Sequence, residues 1–161
     1  MADHPTGGPP GPGQLAGLRI ISATVAITLV LIAAASWFAL DSGFTGHPTL
    51  GWAAAVAAPV ISLALGRMVG LLDLPVSTPA DLRSAYATHF LITMAATEAP
   101  GILLFALGFI ADLSALQVSI GMVLTAAVVW TSLRPTRRRA EEFARRRLPD
   151  GTDAQFFIDQ F

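Results

Sequence analysis

The stretch from Ile20 to Leu40 reads IISATVAITLVLIAAASWFAL and holds no formally charged side chain. Wound as a helix at about 1.5 Å per residue, it reaches about 30 Å, the thickness of a bilayer's hydrocarbon. The run is longer than the apolar core of a secretory signal, about 7–15 residues, and Arg19 is the only basic residue before it but for His4. It is therefore expected to persist as a first transmembrane helix. Carried outward, the same criterion finds further spans at about 50–72, 85–110 and 113–133. The expected fold is all-α, a polytopic membrane protein of four transmembrane helices.

Composition points the same way. Of 161 residues, 53% are hydrophobic and only 13% charged, and the mean hydropathy is +0.62, more apolar than a soluble domain with one core. Four spans leave no room for a large catalytic domain. Without cysteine there can be no disulfide, thiolate chemistry or cysteine-held metal. All ten basic residues are arginine, against eleven acids, and with the abundant alanine and glycine this suggests a GC-rich bacterial genome.

Residues 1–14 interleave Pro5, Pro9, Pro10 and Pro12 with glycines and read as a disordered cytoplasmic tail. The transmembrane domain occupies 15–133. Within it, Asp41 to Thr49 is a polar turn and Asp73 to Arg83 a short loop, in which Ser77-Thr78-Pro79-Ala80-Asp81 approaches a helix start; Asp112 marks a tight turn. Residues 134–161 form an exposed arginine-rich tail, and its ending, Phe156-Phe157-Ile158-Asp159-Gln160-Phe161, is apolar enough to dock on a partner or to fold back onto the protein's own cytoplasmic face.

Orientation follows from the arginines. Arg19, Arg67, Arg83 and the seven from Arg134 to Arg147 all fall on one side of a four-span chain. The positive-inside rule then places both termini in the cytoplasm, in the inner membrane of a bacterial cell. Trp37, Trp52 and Trp130 lie near span ends, where amphipathic rings favour the interface.

Glu98 falls at the middle of the third span, where a carboxylate costs at least about 2.5–3.5 kcal/mol. Pro100, two positions on, lacks an N–H and crowds the carbonyl of Ala96, baring an oxygen beside the carboxyl. Two readings follow: a proton- or cation-exchanging group, or a neutral acid that hydrogen-bonds at a helix contact. Counted along the helices, Arg67 is about 7 Å deep and Glu98 about 18 Å, so direct pairing is strained and Arg67 suits snorkelling to the headgroups. His89 turns to the face opposite Glu98 and reads as a solvated or lipid-facing group.

Small residues suggest where helices touch. Gly66 and Gly70 have the small-xxx-small spacing, Pro59 interrupts an alanine-rich second span, and Pro100 with Gly101 does the same in the third. The short loop between these spans predicts an antiparallel alanine/glycine hairpin at the centre of the bundle.

The stretch Leu91 to Ile110, LITMAATEAPGILLFALGFI, resembles the carboxylate-bearing second helix of the rotor-ring proteolipids, the ion-carrying subunits of rotary ATP synthases. In that family the glutamate is followed by Ala-x-x-Ile, here Ala99-Pro100-Gly101-Ile102, and binds the translocated proton or sodium ion. The resemblance implies that Glu98 is an ion-binding residue and that the hairpin from Leu50 to Ile110 has its loop in the cytoplasm. The two flanking helices and the arginine tail lie outside it. The Glu-Ala-Pro helix also resembles that of small bacterial four-helix membrane proteins, a likeness that implies no activity.

Arg137, Arg138, Arg139, Arg145, Arg146 and Arg147, interrupted by Glu141, Glu142 and Phe143, predict a short basic helix beside the inner leaflet. It can set topology or bind anionic lipid headgroups, at about 1 kcal/mol per arginine; the interleaved acids and membrane address argue against nucleic acid. No Gly-x-Ser-x-Gly, phosphate loop or His-Glu-x-x-His occurs, and His4, His47 and His89 are scattered. The sequence gives no reason to expect catalytic residues, metal or cofactor. The expected function is a non-enzymatic accessory or oligomer-forming subunit, self-associating or part of a larger membrane complex. The alternative is a small proton- or cation-coupled translocator with Glu98 as carrier.

Overall fold

The computed structural model describes residues 13–40, 48–72, 76 and 81–147. Five helices follow in order: α1 (Gly13–Ala39), α2 (Pro48–Gly70), α3 (Asp81–Ile110), α4 (Ala115–Leu133) and α5 (Arg137–Arg147). The first four contain segments long and apolar enough to cross a bilayer: Gly17–Ala39, Pro48–Gly70, Ser84–Ile110 and Ala115–Leu133. The architecture is that of an all-α, four-span membrane protein, with expected and observed spans agreeing to within a few residues. The Gly/Pro-rich stretch up to residue 12 and the aromatic ending lie outside the described residues.

Local chemistry sets the helix ends. Asp112 adopts the left-handed conformation, φ 46°, at the turn after α3, where aspartate is tolerated better than most residues. The Leu113 N–H then donates back to the Gly108 carbonyl at 3.0 Å, closing α3 in a Schellman-type turn. Helix α4 starts two positions after the expected Leu113 because Ser114 caps it. The Ser114 hydroxyl accepts from the Gln117 N–H (3.3 Å) and the Gln117 carboxamide oxygen accepts from the Ser114 N–H (3.1 Å), a reciprocal capping box. Pro59 and Pro100 lie inside α2 and α3, each of which remains one helix.

Helices α2 and α3 pack as the expected antiparallel pair, but the centre of the bundle is α4. Half of α4's apolar span is buried, against 22–28% of the other three, and α1, α2 and α3 all pack on it. The small residues of α2 are divided between two neighbours. Gly51 and Ala55 turn to α4, at Gln117 and Gly121, whereas Gly66 faces Thr97 of α3. Gly101 of α3 likewise meets Thr125 of α4 and Leu29 of α1. Alanine and glycine in a sequence permit close approach without saying to what, which is why a correct small-residue reading led to the wrong central pair.

Hydroxyls bind α1 to α4 in this apolar interior. The Ser36 and Ser119 oxygens are 2.8 Å apart, and each hydroxyl also lies within hydrogen-bond reach of the Ala33 carbonyl, at 2.7 and 2.8 Å. Gln117 ties α4 to the start of α2 by donating from Nε2 to the Pro48 carbonyl at 3.0 Å. Thr97 and Thr125 donate within their own helices, to Thr93 and Gly121. Ser62, buried on α2, has no hydrogen-bond partner for its hydroxyl among the described residues.

Register gives the bundle an uneven end. Gly66 of α2 is level with Thr97 of α3, and Gly108 and Gly101 of α3 are level with Val118 and Thr125 of α4. Continued at 1.5 Å per residue, this antiparallel register brings the ends of α2 and α4, near Gly70 and Leu133, to the level of Thr93. The first three turns of α3, from Asp81 to about Ile92, therefore overhang that level by about 18 Å.

Candidate functional site

The overhang of α3 is covered by α5, and a cleft of about 220 Å³ lies between them. Pro135, which cannot continue α4, and Thr136, whose hydroxyl accepts from the Arg139 N–H at 3.4 Å as an N-cap, turn the chain back. Helix α5 carries a narrow apolar stripe, Ala140, Phe143 and Ala144, at helical spacing, and all three are buried. The arginine-rich segment is thus a docked helix and not the exposed tail expected. The Phe143 ring stands edge-on to Tyr86 at 5.1 Å and tilted against His89 at 5.4 Å, aromatic geometries that add to the burial itself.

His89, read in the sequence as solvated or lipid-facing, is a half-buried wall of this cleft. Phe90, Thr93 and Gly70 form its floor with Leu133. An added Cβ on Gly70 would meet nothing within 4 Å, so of the Gly66/Gly70 pair only Gly66 serves close helix contact, its added Cβ standing 3.1 Å from the Thr97 hydroxyl.

The arginines divide by face. Arg137 and Arg138, outside the cleft, bond Glu141 and Glu142 one turn on, at 3.3 and 3.0 Å, and Glu142 also reaches the cleft's edge; such exposed pairs contribute little stability. Arg145 is exposed and outside the cleft. Arg139, Arg146 and Arg147 line it, joined by Arg134 from the end of α4. Arg139 donates to the carbonyls of Ser132 and, at 3.3 Å, Thr131, placing a cation on the carbonyls that end α4. Arg147 stacks on Phe143, 3.9 Å from the ring centroid, and donates to the Leu72 carbonyl at 2.7 Å, bridging α5 to the end of α2. Arg134 lies 6.0 Å from the centre of the Trp130 ring.

Glu98 is distant from this cluster in direction more than in level. Three residues separate it from Gly101, which faces Leu29, so it lies about 60° further round α3 on the α1 flank. Like Met94 and Phe105 on the same flank, it is half-buried. Since Gly66 is level with Thr97, Glu98 and Arg67 stand within a helical turn of one level, about 7 Å from the ends of α2 and α4. The depth of about 18 Å, reckoned from Ala85, included the overhang. Arg67 is exposed and makes no ion pair with Glu98; direction, not depth, separates them. Among the described residues no three His, Asp or Glu side chains come together as a metal site would need.

The stripe that docks α5 was legible as Ala140, Phe143 and Ala144 amid arginines. Its partners Tyr86 and His89 carried no such signal, because nothing in the third span's composition says that its first turns project beyond its neighbours. No protein-family model, curated protein or solved structure matches this chain. The class defined by the fold is a multi-pass, four-span membrane protein with a basic helix folded across one end.

Proposed function

We propose that this chain is a non-enzymatic inner-membrane protein with both termini in the cytoplasm, an accessory or oligomer-forming subunit in which Glu98 serves at a helix contact. The observation carrying this reading is the half-burial of Glu98 on the α1 flank of α3, beside Met94 and Phe105. The polar groups inside the bundle support it: Ser36, Ser119 and Gln117 make interhelical and capping contacts, and Thr97 and Thr125 donate to carbonyls of their own helices. The outer faces of α1, α2 and α3 leave most of each span available to lipid or to another chain. The clustering of arginines at the α5 end supports the cytoplasmic orientation.

The test is Glu98→Gln beside Glu98→Leu in detergent and in proteoliposomes. An amide hydrogen-bonds much as a neutral acid does, so Glu98→Gln should keep the wild-type oligomeric mass by native mass spectrometry, while Glu98→Leu loses it. Proteoliposomes should show no proton flux above empty vesicles. Wild-type flux abolished by Glu98→Gln, with the oligomer intact, would replace this reading with that of an ion carrier.

A further inference from the structure

We infer that the cleft under α5 is a binding site for the phosphate of an anionic phospholipid, with the acyl chains lying outside the bundle. The inference needs the four spans to lie in a bilayer but not a choice of leaflet, and it is independent of Glu98.

Position is the first argument. The cleft sits at the level where α2 and α4 end while α3, with the first turns of α1, continues, close to Trp130, which is 45% exposed. An indole half in contact with its surroundings and paired with Arg134 suits the headgroup layer.

Charge is the second. The lining holds Arg134, Arg139, Arg146 and Arg147 against one acid, Glu142, which Arg138 engages from outside. Arg146 has no hydrogen-bond or ion-pair partner among the described residues. Its guanidinium is suited to the bidentate contact that phosphate oxygens accept. Arg139 is held on the end of α4 and Arg147 on Phe143, so two cations are already fixed around the space before a ligand arrives.

Shape is the third. A volume of about 220 Å³ is below the usual range of about 300–1,000 Å³ for a complete drug-sized ligand, which suits a phosphate with its glycerol and excludes a whole lipid. The floor of Phe90, Leu133 and Gly70 with Thr93 is mostly apolar, and the space over Gly70 is open at the end of α2, where Leu71 and Leu72 are 74% and 52% exposed. Acyl chains leaving by that route would lie along the end of α2, in the layer where they already reside.

The test uses the full chain in mild detergent, titrated with dioctanoyl phosphatidylglycerol, dioctanoyl phosphatidylcholine and inorganic phosphate, and read by native mass spectrometry. One equivalent of phosphatidylglycerol should bind saturably and more tightly than either of the others. Arg146→Gln should weaken it about tenfold, the loss of one charge-assisted contact. Arg145→Gln, with the same charge removed one residue outside the cleft, should change it less than twofold. Equal losses from Arg145→Gln and Arg146→Gln would overturn the site in favour of diffuse surface attraction. Inorganic phosphate binding as tightly as the lipid would reassign it to a free anion, and absence of saturable binding would remove it.

Discussion

The backbone of Ala55 on α2 lies directly against Gly121 of α4: a Cβ added to Gly121 would stand 2.9 Å from the Ala55 Cα and 3.0 Å from its carbonyl oxygen. Four residues on, Pro59 has no N–H for that carbonyl, so the oxygen is free of its usual helical partner. The proline in one helix and the glycine in the next are two halves of one crossing. The glycine lets the helices approach, and the approach surrounds a carbonyl that would otherwise be bare in an apolar layer.

Gly121→Ala should therefore displace the Leu104 side chain, whose Cδ2 the added Cβ would overlap, and also force α2 and α4 apart, since the Ala55 atoms in the way are backbone. A loss of about 1–3 kcal/mol is expected, the usual cost of overfilling a packed interior. Gly70→Ala, with open space at the same atom, should leave stability unchanged or slightly raised by helix propensity. Reversible unfolding in mixed micelles checks both, and equal effects would contradict this packing.

Gly51 makes room for the Gln117 carboxamide, which an added Cβ would overlap. Gly51→Ala should displace that carboxamide, and with it both the bond to the Pro48 carbonyl and the cap of α4. Gln117→Ala removes the same two contacts and should cost about 1–2 kcal/mol. Because the pair shares those contacts, the double variant should lose markedly less than the sum, which the same unfolding assay measures.

Ser36 and Ser119 join α1 to α4 through one short hydroxyl contact and the shared Ala33 carbonyl. A double-mutant cycle to alanine should return a coupling of about 0.6 kcal/mol and below about 1.7, the range for interhelical hydrogen bonds in membranes. A coupling near zero would mean that the two hydroxyls act separately.

Phe143→Ala should release α5 while leaving the four spans folded, because the helix holds to α3 mainly through this ring against Tyr86 and His89. Its arginines then become substrates for trypsin. Cleavage between Arg137 and Arg147 should accelerate at least about tenfold if undocking costs about 1.4 kcal/mol or more, with far-ultraviolet circular dichroism nearly unchanged.

The number of spans and their approximate limits were determined by the sequence itself, because a bilayer demands some twenty apolar residues at a stretch and charges are tolerated only at the ends. The turn at Asp112 and the helical form of the arginine segment were equally local, set by backbone preference and by spacing along one chain. The centrality of α4, the overhang of α3 and the cleft it makes with α5 depend on register between helices. Register is decided by which small residue meets which neighbour: Gly121 at Ala55, Gly66 at Thr97, Gly101 at Thr125. In an apolar layer hydrophobicity cannot distinguish these pairings, since lipid covers an apolar face as well as another helix does, and only the close contact of shapes selects among them.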